Sequence, residues 1–275
     1  MSKILYLVLL IYSIIPIRML YLISTLIQWI NKYIIGYRIT ITQNNIELAF
    51  PNITEKEKNN LIDLFYKHFF KTIVEIIKSI TLSKKQITEK VIIKNINVIQ
   101  TSLKKKKHII LLSAHYANWE WLLLRLSLIE NINLNAVYKP LSNKYFNKIL
   151  LTIRSKFGAE LVPLKKWKYF MLRKKNTPNT FLFVSDQIPN PKESSTRINF
   201  FNQSTLFHKG AEKTAKLFNS DVFYVAMNRS EKKHYIIEFK KLDTNNITKQ
   251  YVYFLESTIK KKPEYWLWSH NRWKR

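Results

Sequence analysis

The chain contains no cysteine and only three glycines, Gly36, Gly158 and Gly210. Without cysteine there is no disulfide framework, no zinc ribbon, no thiol nucleophile and no iron–sulfur cluster. Glycines this sparse write neither a G-x-G-x-x-G dinucleotide loop nor a Walker-type phosphate loop. A G-x-S-x-G nucleophile elbow is excluded on the same ground. Acidic residues are also scarce: 18 Asp and Glu stand against 46 Lys and Arg, a formal net charge of +28. What is present is 275 residues at 47% hydrophobic, enough for one sizeable core and too apolar for a disordered tail.

So large a positive charge invites a nucleic-acid reading, because phosphate neutralisation by Lys and Arg dominates such binding. The distribution argues otherwise. Lysines are spread along the chain beside Asn and Ile, as in a skewed overall composition, and no RNA- or DNA-binding motif is present. The one dense run, Lys104 to Lys107, precedes an apolar strand and reads as a solvated turn. Nucleic acid is therefore not expected as a partner, whereas a diffuse positive field suits an anionic membrane face or an acidic protein.

Residues Ile4 to Ile17 read ILYLVLLIYSIIPI and Met19 to Ile30 read MLYLISTLIQWI, with Pro16 and Arg18 as interruptions. Neither half reaches the ~20 apolar residues that span a bilayer, although Ile4 to Ile30 together cover 27 positions. Lys3 suits the basic start of a secretory signal, but no small-x-small cleavage site follows, so cleavage is not expected. A kinked transmembrane helix, a hairpin dipping into one leaflet and an interfacial anchor all stay open, with a buried core helix as the non-membrane alternative. Trp29, Tyr33 and Tyr37 beside Lys32 and Arg38 resemble an interfacial aromatic and basic belt. The expectation is a membrane anchor over residues 1–35 and a second unit, 36–275, facing the cytosol.

Beyond the anchor, Thr54-x-x-Glu57 is a capping-box pattern ahead of an apolar-periodic run from Leu61 to Ile80. That spacing predicts a long helix with Leu61, Leu64, Phe65, Phe69, Ile73, Ile76 and Ile77 on its buried face and His68 on its surface. Strands are predicted near Val91–Ile99, His108–Ser113, Leu134–Tyr138, Leu161–Val162, Thr180–Ser185, Val222–Met227 and His234–Lys240. Helices are predicted at Asn118–Leu128, Asn143–Phe157, His208–Phe218 and Tyr251–Lys260. Strands alternating with helices of this length indicate an α/β fold, a mostly parallel central sheet flanked by helices.

The stretch Ser113-Ala-His-Tyr-Ala-Asn-Trp-Glu-Trp121 sits where a buried strand ends and a helix begins. Ligand sites in open α/β sheets collect at such strand ends. On one continuous helix His115 and Glu120 would be ~140° apart, so a bend after His115 is needed for them to meet. A carboxylate on one ring nitrogen fixes the tautomer and leaves the other nitrogen to take a proton from an alcohol. This is the His–Asp half of a serine-protease triad with a substrate hydroxyl in place of the serine. The plainer alternative is a capping His and a Glu complementing the helix dipole.

The wider string HYANWEW, containing His115-x4-Glu120, resembles the H-x4-D/E box of the glycerophosphate and lipid A acyltransferase superfamily, and is most similar to the late acyltransferases of lipid A biosynthesis. The resemblance extends along nearly the whole chain. Gly36-Tyr-Arg38, Asn45 and Ala49-Phe-Pro51 resemble the family's passage out of the anchor into "N-L-x-x-x-F-P", with Ile46 for Leu. Tyr138-Lys-Pro140 looks like its Y-R-P, with Lys139 for Arg, and Arg154 matches an arginine of the following helix. Asp186-Gln187 with Pro191-Lys192 is similar to its D-Q/H-x-x-x-P-K/R loop. Pro263-Glu264 through Trp266, Trp268, His270, Arg272 and Trp273 resembles its Trp-rich ending, with Tyr265 and Asn271 as departures.

The resemblance implies a glycerophosphate-acyltransferase-like fold and an O-acyltransferase moving a fatty acyl chain from an acyl thioester, on acyl carrier protein, to a hydroxyl of a lipid A precursor. His115 would be general base and Glu120 its orienting partner, with oxyanion donors sought among the amides after His115 and the Arg154 guanidinium. Asn118, Lys139, Arg154, Asp186 and Gln187 would contact substrate; no cofactor or metal is expected. The expected setting is the cytoplasmic face of the inner membrane. A phospholipid or other polar-lipid acyltransferase with the same chemistry is the near rival, and a non-catalytic basic membrane- or nucleic-acid-binding protein the distant one.

Overall fold

The computed structural model describes residues 2–230 and 234–273. The chain opens with α1 (Ser2–Ile14) and α2 (Ile17–Ile30), which runs on into a π-helical turn, Asn31–Ile35. Next come α3 (Ile39–Ala49), α4 (Glu55–Lys78), α5 (Lys84–Lys90), β1 (Val91–Ile93) and α6 (Asn97–Lys104). The central run is β2 (Ile109–Ser113), α7 (Trp119–Leu126), β3 (Leu134–Tyr138), α8 (Lys144–Ser155), β4 (Glu160–Pro163), α9 (Trp167–Arg173) and β5 (Thr180–Val184). A hairpin of β6 (Ser195–Phe200) and β7 (Gln203–His208) is followed by α10 (Gly210–Leu217), β8 (Asp221–Arg229), β9 (Tyr235–Leu242) and α11 (Ile247–Lys261). A 3₁₀ turn, Pro263–Tyr265, leads into the last described residues.

The sheet order is β1-β9-β8-β2-β5-β3-β4. Strands β8, β2, β5, β3 and β4 are mutually parallel, while β9 runs antiparallel to β8 and carries β1 parallel to itself. The α/β architecture with a mostly parallel sheet is thus as expected. Every residue of β2 is buried, as a strand covered by helices on both faces requires. From β2 the chain crosses over β5 to reach β3, and returns after β5 to β8 on the other side of β2. Strand ends near such a reversal are where ligands collect in open α/β sheets.

Local signals account for the helix starts. The Thr54 side chain accepts from the Glu57 amide, and the Glu57 carboxylate accepts from the Thr54 amide. Asn118 and Asn143 cap α7 and α8 with their side-chain oxygens. Two expectations are corrected. His208 ends a strand rather than opening a helix, because β6 and β7 pair as a hairpin that the apolar pattern did not reveal. His68 is buried rather than on the surface, while Leu64 is exposed. The cause is that α4 is covered on more than one side: the N-terminal hairpin lies against it as well as the sheet domain.

That N-terminal hairpin bends by 116° between α1 and α2, and no described helix is by itself long and apolar enough to cross a membrane. The bend is held by the fold. Lys78 donates to the carbonyls of Ser13, Ile14 and Ile15 at 2.6, 3.3 and 3.0 Å, and the Thr81 hydroxyl donates to Ser13 at 2.7 Å. On α2, Gln28 reaches the Asp63 carbonyl at 3.1 Å and Tyr21 reaches Glu75. The outer face stays apolar, with Ile4, Leu7, Val8, Ile11, Leu22, Leu26, Trp29, Ile34 and Ile35 all exposed.

Candidate active site

Strands β2 and β5 are neighbours in parallel register, Ser113 opposite Val184. His115 and Asp186 each lie two residues beyond that last pair, so both emerge at one point on the sheet edge. His115 Nδ1 stands 2.7 Å from Asp186 Oδ1. Asp186 is buried at 2% exposure, and its Oδ2 accepts from the indole of Trp266 at 2.9 Å. Burial works to raise its carboxyl, yet the bonds from His115 and Trp266 more than offset this and hold it at about 2. An ionised carboxylate only accepts, so Nδ1–H donates to Asp186 and Nε2 is the ring nitrogen turned away from it. Nε2 lies 3.5 Å from the Gln187 side-chain nitrogen, and the edge of Trp119 packs on the ring at 5.2 Å between centroids.

The turn bearing His115 is held by main-chain bonds. The Tyr116 amide returns to the Ala114 carbonyl at 2.8 Å, and Ala117 is left-handed at φ 54°. The C-terminal segment closes over it: Ala117 N–H donates to Tyr265 O at 2.9 Å and Leu267 N–H to His115 O at 3.1 Å. Asn45 donates to the carbonyls of Trp268 and His270 at 2.7 Å each, and Arg38 to that of Ser269 at 2.9 Å. Residues distant in sequence are thereby assembled around one imidazole. Nearby basic side chains are strongly desolvated: burial drives His270 down to about 4 and Arg272 down to about 10.

Glu120 is not the partner of His115. It receives two bonds from Arg154, Nε to Oε2 at 2.9 Å and Nη2 to Oε1 at 2.6 Å. Burial opposes the charge on Arg154, but Glu120 outweighs it and the guanidinium is held above its ordinary range. The left-handed step at Ala117 turns the chain into α7 so that Glu120 faces α8, while Asp186, arriving from β5, takes Nδ1. Asn118 is likewise corrected as a substrate contact. It is buried, its oxygen accepts from the Trp121 amide at 3.0 Å, and its nitrogen donates to Glu75 at 2.8 Å. Of the sought oxyanion donors, the Tyr116 and Ala117 amides are engaged by the Ala114 and Tyr265 carbonyls, and Arg154 turns Nε and Nη2 toward Glu120. Lys139 lies exposed just beyond β3, and Gln187 half-buried beside His115.

Sequence reasoning gave no place at the site to Trp266, His68 or Glu75. The signal for the last two lies in their spacing: polar residues seven apart on a helix share a face, and Thr72 lies on that face between them.

A mostly parallel α/β sheet thus carries a His–carboxylate pair at the ends of two adjacent strands, with an Arg–carboxylate clamp near it in the chain. The family described as bacterial lipid A biosynthesis acyltransferase matches residues 3–275, and the chain belongs to it. A search of curated proteins finds no match.

Proposed function

We propose that the protein is a membrane-associated O-acyltransferase that moves a fatty acyl chain from an acyl thioester on acyl carrier protein to a hydroxyl of a lipid A precursor. Family membership supports acyl transfer and a lipid acceptor. The observation that carries the mechanism is the 2.7 Å contact between His115 Nδ1 and the buried, ionised Asp186. With that proton held, His115 Nε2 takes the proton of the acceptor hydroxyl as its oxygen attacks the thioester carbonyl. The carbon–sulfur bond then breaks, the thiolate leaves and recovers the proton, and an ester and a free thiol result. Asp186 takes the orienting role first expected of Glu120, and the Glu120–Arg154 clamp forms a rigid polar wall at the start of α7.

The exposed apolar face of residues 4–35 supports seating in a lipid surface, with Trp29, Tyr33, Lys32 and Arg38 at its rim. The bend held by Lys78 and Thr81 favours a hairpin in one leaflet over a span. The net charge of +28 suits both an anionic bilayer and an acidic acyl donor.

Purified protein with His115→Ala should lose acyl transfer by ~100-fold or more; transfer at the wild-type rate overturns the base assignment. Cells lacking the gene should make lipid A short of one acyl chain by mass spectrometry. An unchanged lipid A profile with altered phospholipids would move the acceptor to a phospholipid.

A further inference from the structure

Helix α4 passes beneath the turn that carries His115, and it presents His68, Thr72 and Glu75 at positions i, i+4 and i+7, one helical face. The His68 ring nitrogen Nε2 meets the Ala117 carbonyl at 3.2 Å, and the Thr72 hydroxyl lies 3.2 Å from the same nitrogen. Two turns on, Glu75 is wholly buried. Its Oε2 accepts from Asn118 and from the Tyr235 hydroxyl, each at 2.8 Å, and its Oε1 from the Tyr21 hydroxyl at 2.5 Å. The Trp121 indole donates to its main-chain carbonyl at 3.1 Å. Arg229, whose guanidinium lies 5.5 Å from the Tyr235 ring centre, acts electrostatically on Glu75 and supplies the opposite charge.

A carboxylate taken out of water is expensive, and an apolar side chain of similar size would pack the same space more cheaply. What Glu75 adds is direction. An asparagine amide has two nearly isosteric ends, and only one of its orientations caps α7. By accepting from the Asn118 nitrogen, Glu75 keeps the Asn118 oxygen on the Trp121 amide. Asn118 stands between His115 and Glu120 in the chain, so its orientation sets where both emerge. The same carboxylate is bonded to Tyr21 of α2, the helix whose outer face is apolar and exposed.

We propose that Glu75 is a positioning residue for acyl transfer: through Asn118 it fixes the turn that presents His115 and Glu120, and through Tyr21 it ties that turn to the seating of the N-terminal hairpin. This rests on His115 acting as base.

The test uses the full-length purified chain, with kcat and KM for an acyl thioester measured alongside the melting temperature. Glu75→Ala and Asn118→Ala should each lower kcat by about 10- to 100-fold with KM nearly unchanged. The double variant should be no worse than the poorer single one, because both remove one linkage. Glu75→Gln should recover most of kcat, since its amide oxygen still accepts from Asn118 and Tyr235. Tyr21→Phe should lower kcat by a few fold. Multiplying effects in the double variant, or a fallen melting temperature with unchanged kcat per folded molecule, overturns the proposal. Should Glu75→Ala not fold, Asn118→Ser decides: serine still caps the helix but is too short to hold Glu75, so wild-type kcat there overturns the proposal and a tenfold loss upholds it. His115→Ala run in parallel tests the base assignment separately. A wild-type rate there overturns that reading, while coupling between Glu75 and Asn118 is still decided by their own double-mutant cycle.

Discussion

At the scale of single residues, the site depends on polar groups being buried with partners. Asp186 is desolvated yet ionised because both its oxygens receive donors, one from His115 and one from Trp266. His68 shows the opposite outcome. Burial is the leading cause that pushes its imidazole down from 6.5 to about 3, and the Ala117 carbonyl opposes this only in part. Its folded form is neutral, whereas the unfolded chain binds a proton below pH 6.5. Stability from this group is therefore complete above about pH 6.5 and is lost progressively as pH falls toward 3. Between pH 7 and pH 5 the wild type should lose about 2 kcal/mol more than His68→Gln. Urea unfolding at the two pH values checks this; parallel losses in both proteins would show that His68 is not held neutral.

At the scale of elements, one short connection does much of the positioning. The step from β2 into α7 needs a left-handed residue, and Ala117 occupies it at φ 54° with no exposed surface. An L-residue there carries roughly 1–2 kcal/mol of strain, which the bonds to His68 and Tyr265 restrain. A β-branched side chain worsens both the backbone fit and the packing. Ala117→Val should cost about 2–4 kcal/mol in urea unfolding and sharply reduce acyl transfer; an unchanged midpoint would mean the turn relaxes freely. Much of this element is legible in the sequence. The apolar run to Ser113 marks a buried strand, and Asn118 before Trp119 marks a helix start. The partner of His115 is not legible, because Asp186 lies 71 residues away and nothing local says that β5 adjoins β2. Glu120 is near in sequence and therefore the natural candidate, and the backbone bend turns it toward Arg154.

At the scale of the whole molecule, the N-terminal hairpin is both an outer apolar surface and part of the interior. Leu7 and Ile11 on α1, and Leu22 and Leu26 on α2, point outward at 55, 59, 73 and 58% exposure. Replacing these four with Glu should leave the melting temperature nearly unchanged and abolish co-flotation with anionic phospholipid vesicles. Flotation equal to wild type would place the membrane contact elsewhere. Helix α2 meanwhile reaches through Tyr21 to Glu75, so the surface expected to meet lipid and the turn carrying His115 share one buried carboxylate.

The amino-acid sequence alone determined what is written locally: the absent nucleophiles and phosphate loops, the alternation of strands and helices, the capping box at Thr54, and the HYANWEW string at a strand end. These depend on residue chemistry and on spacings of a few positions. Tertiary structure decided which groups meet. Parallel register between β2 and β5 brings Asp186 to His115, α8 brings Arg154 to Glu120, and the C-terminal segment brings Trp266 to Asp186. The physical reason is that strand order and helix packing answer to burial of the whole core, which no short stretch of chain records.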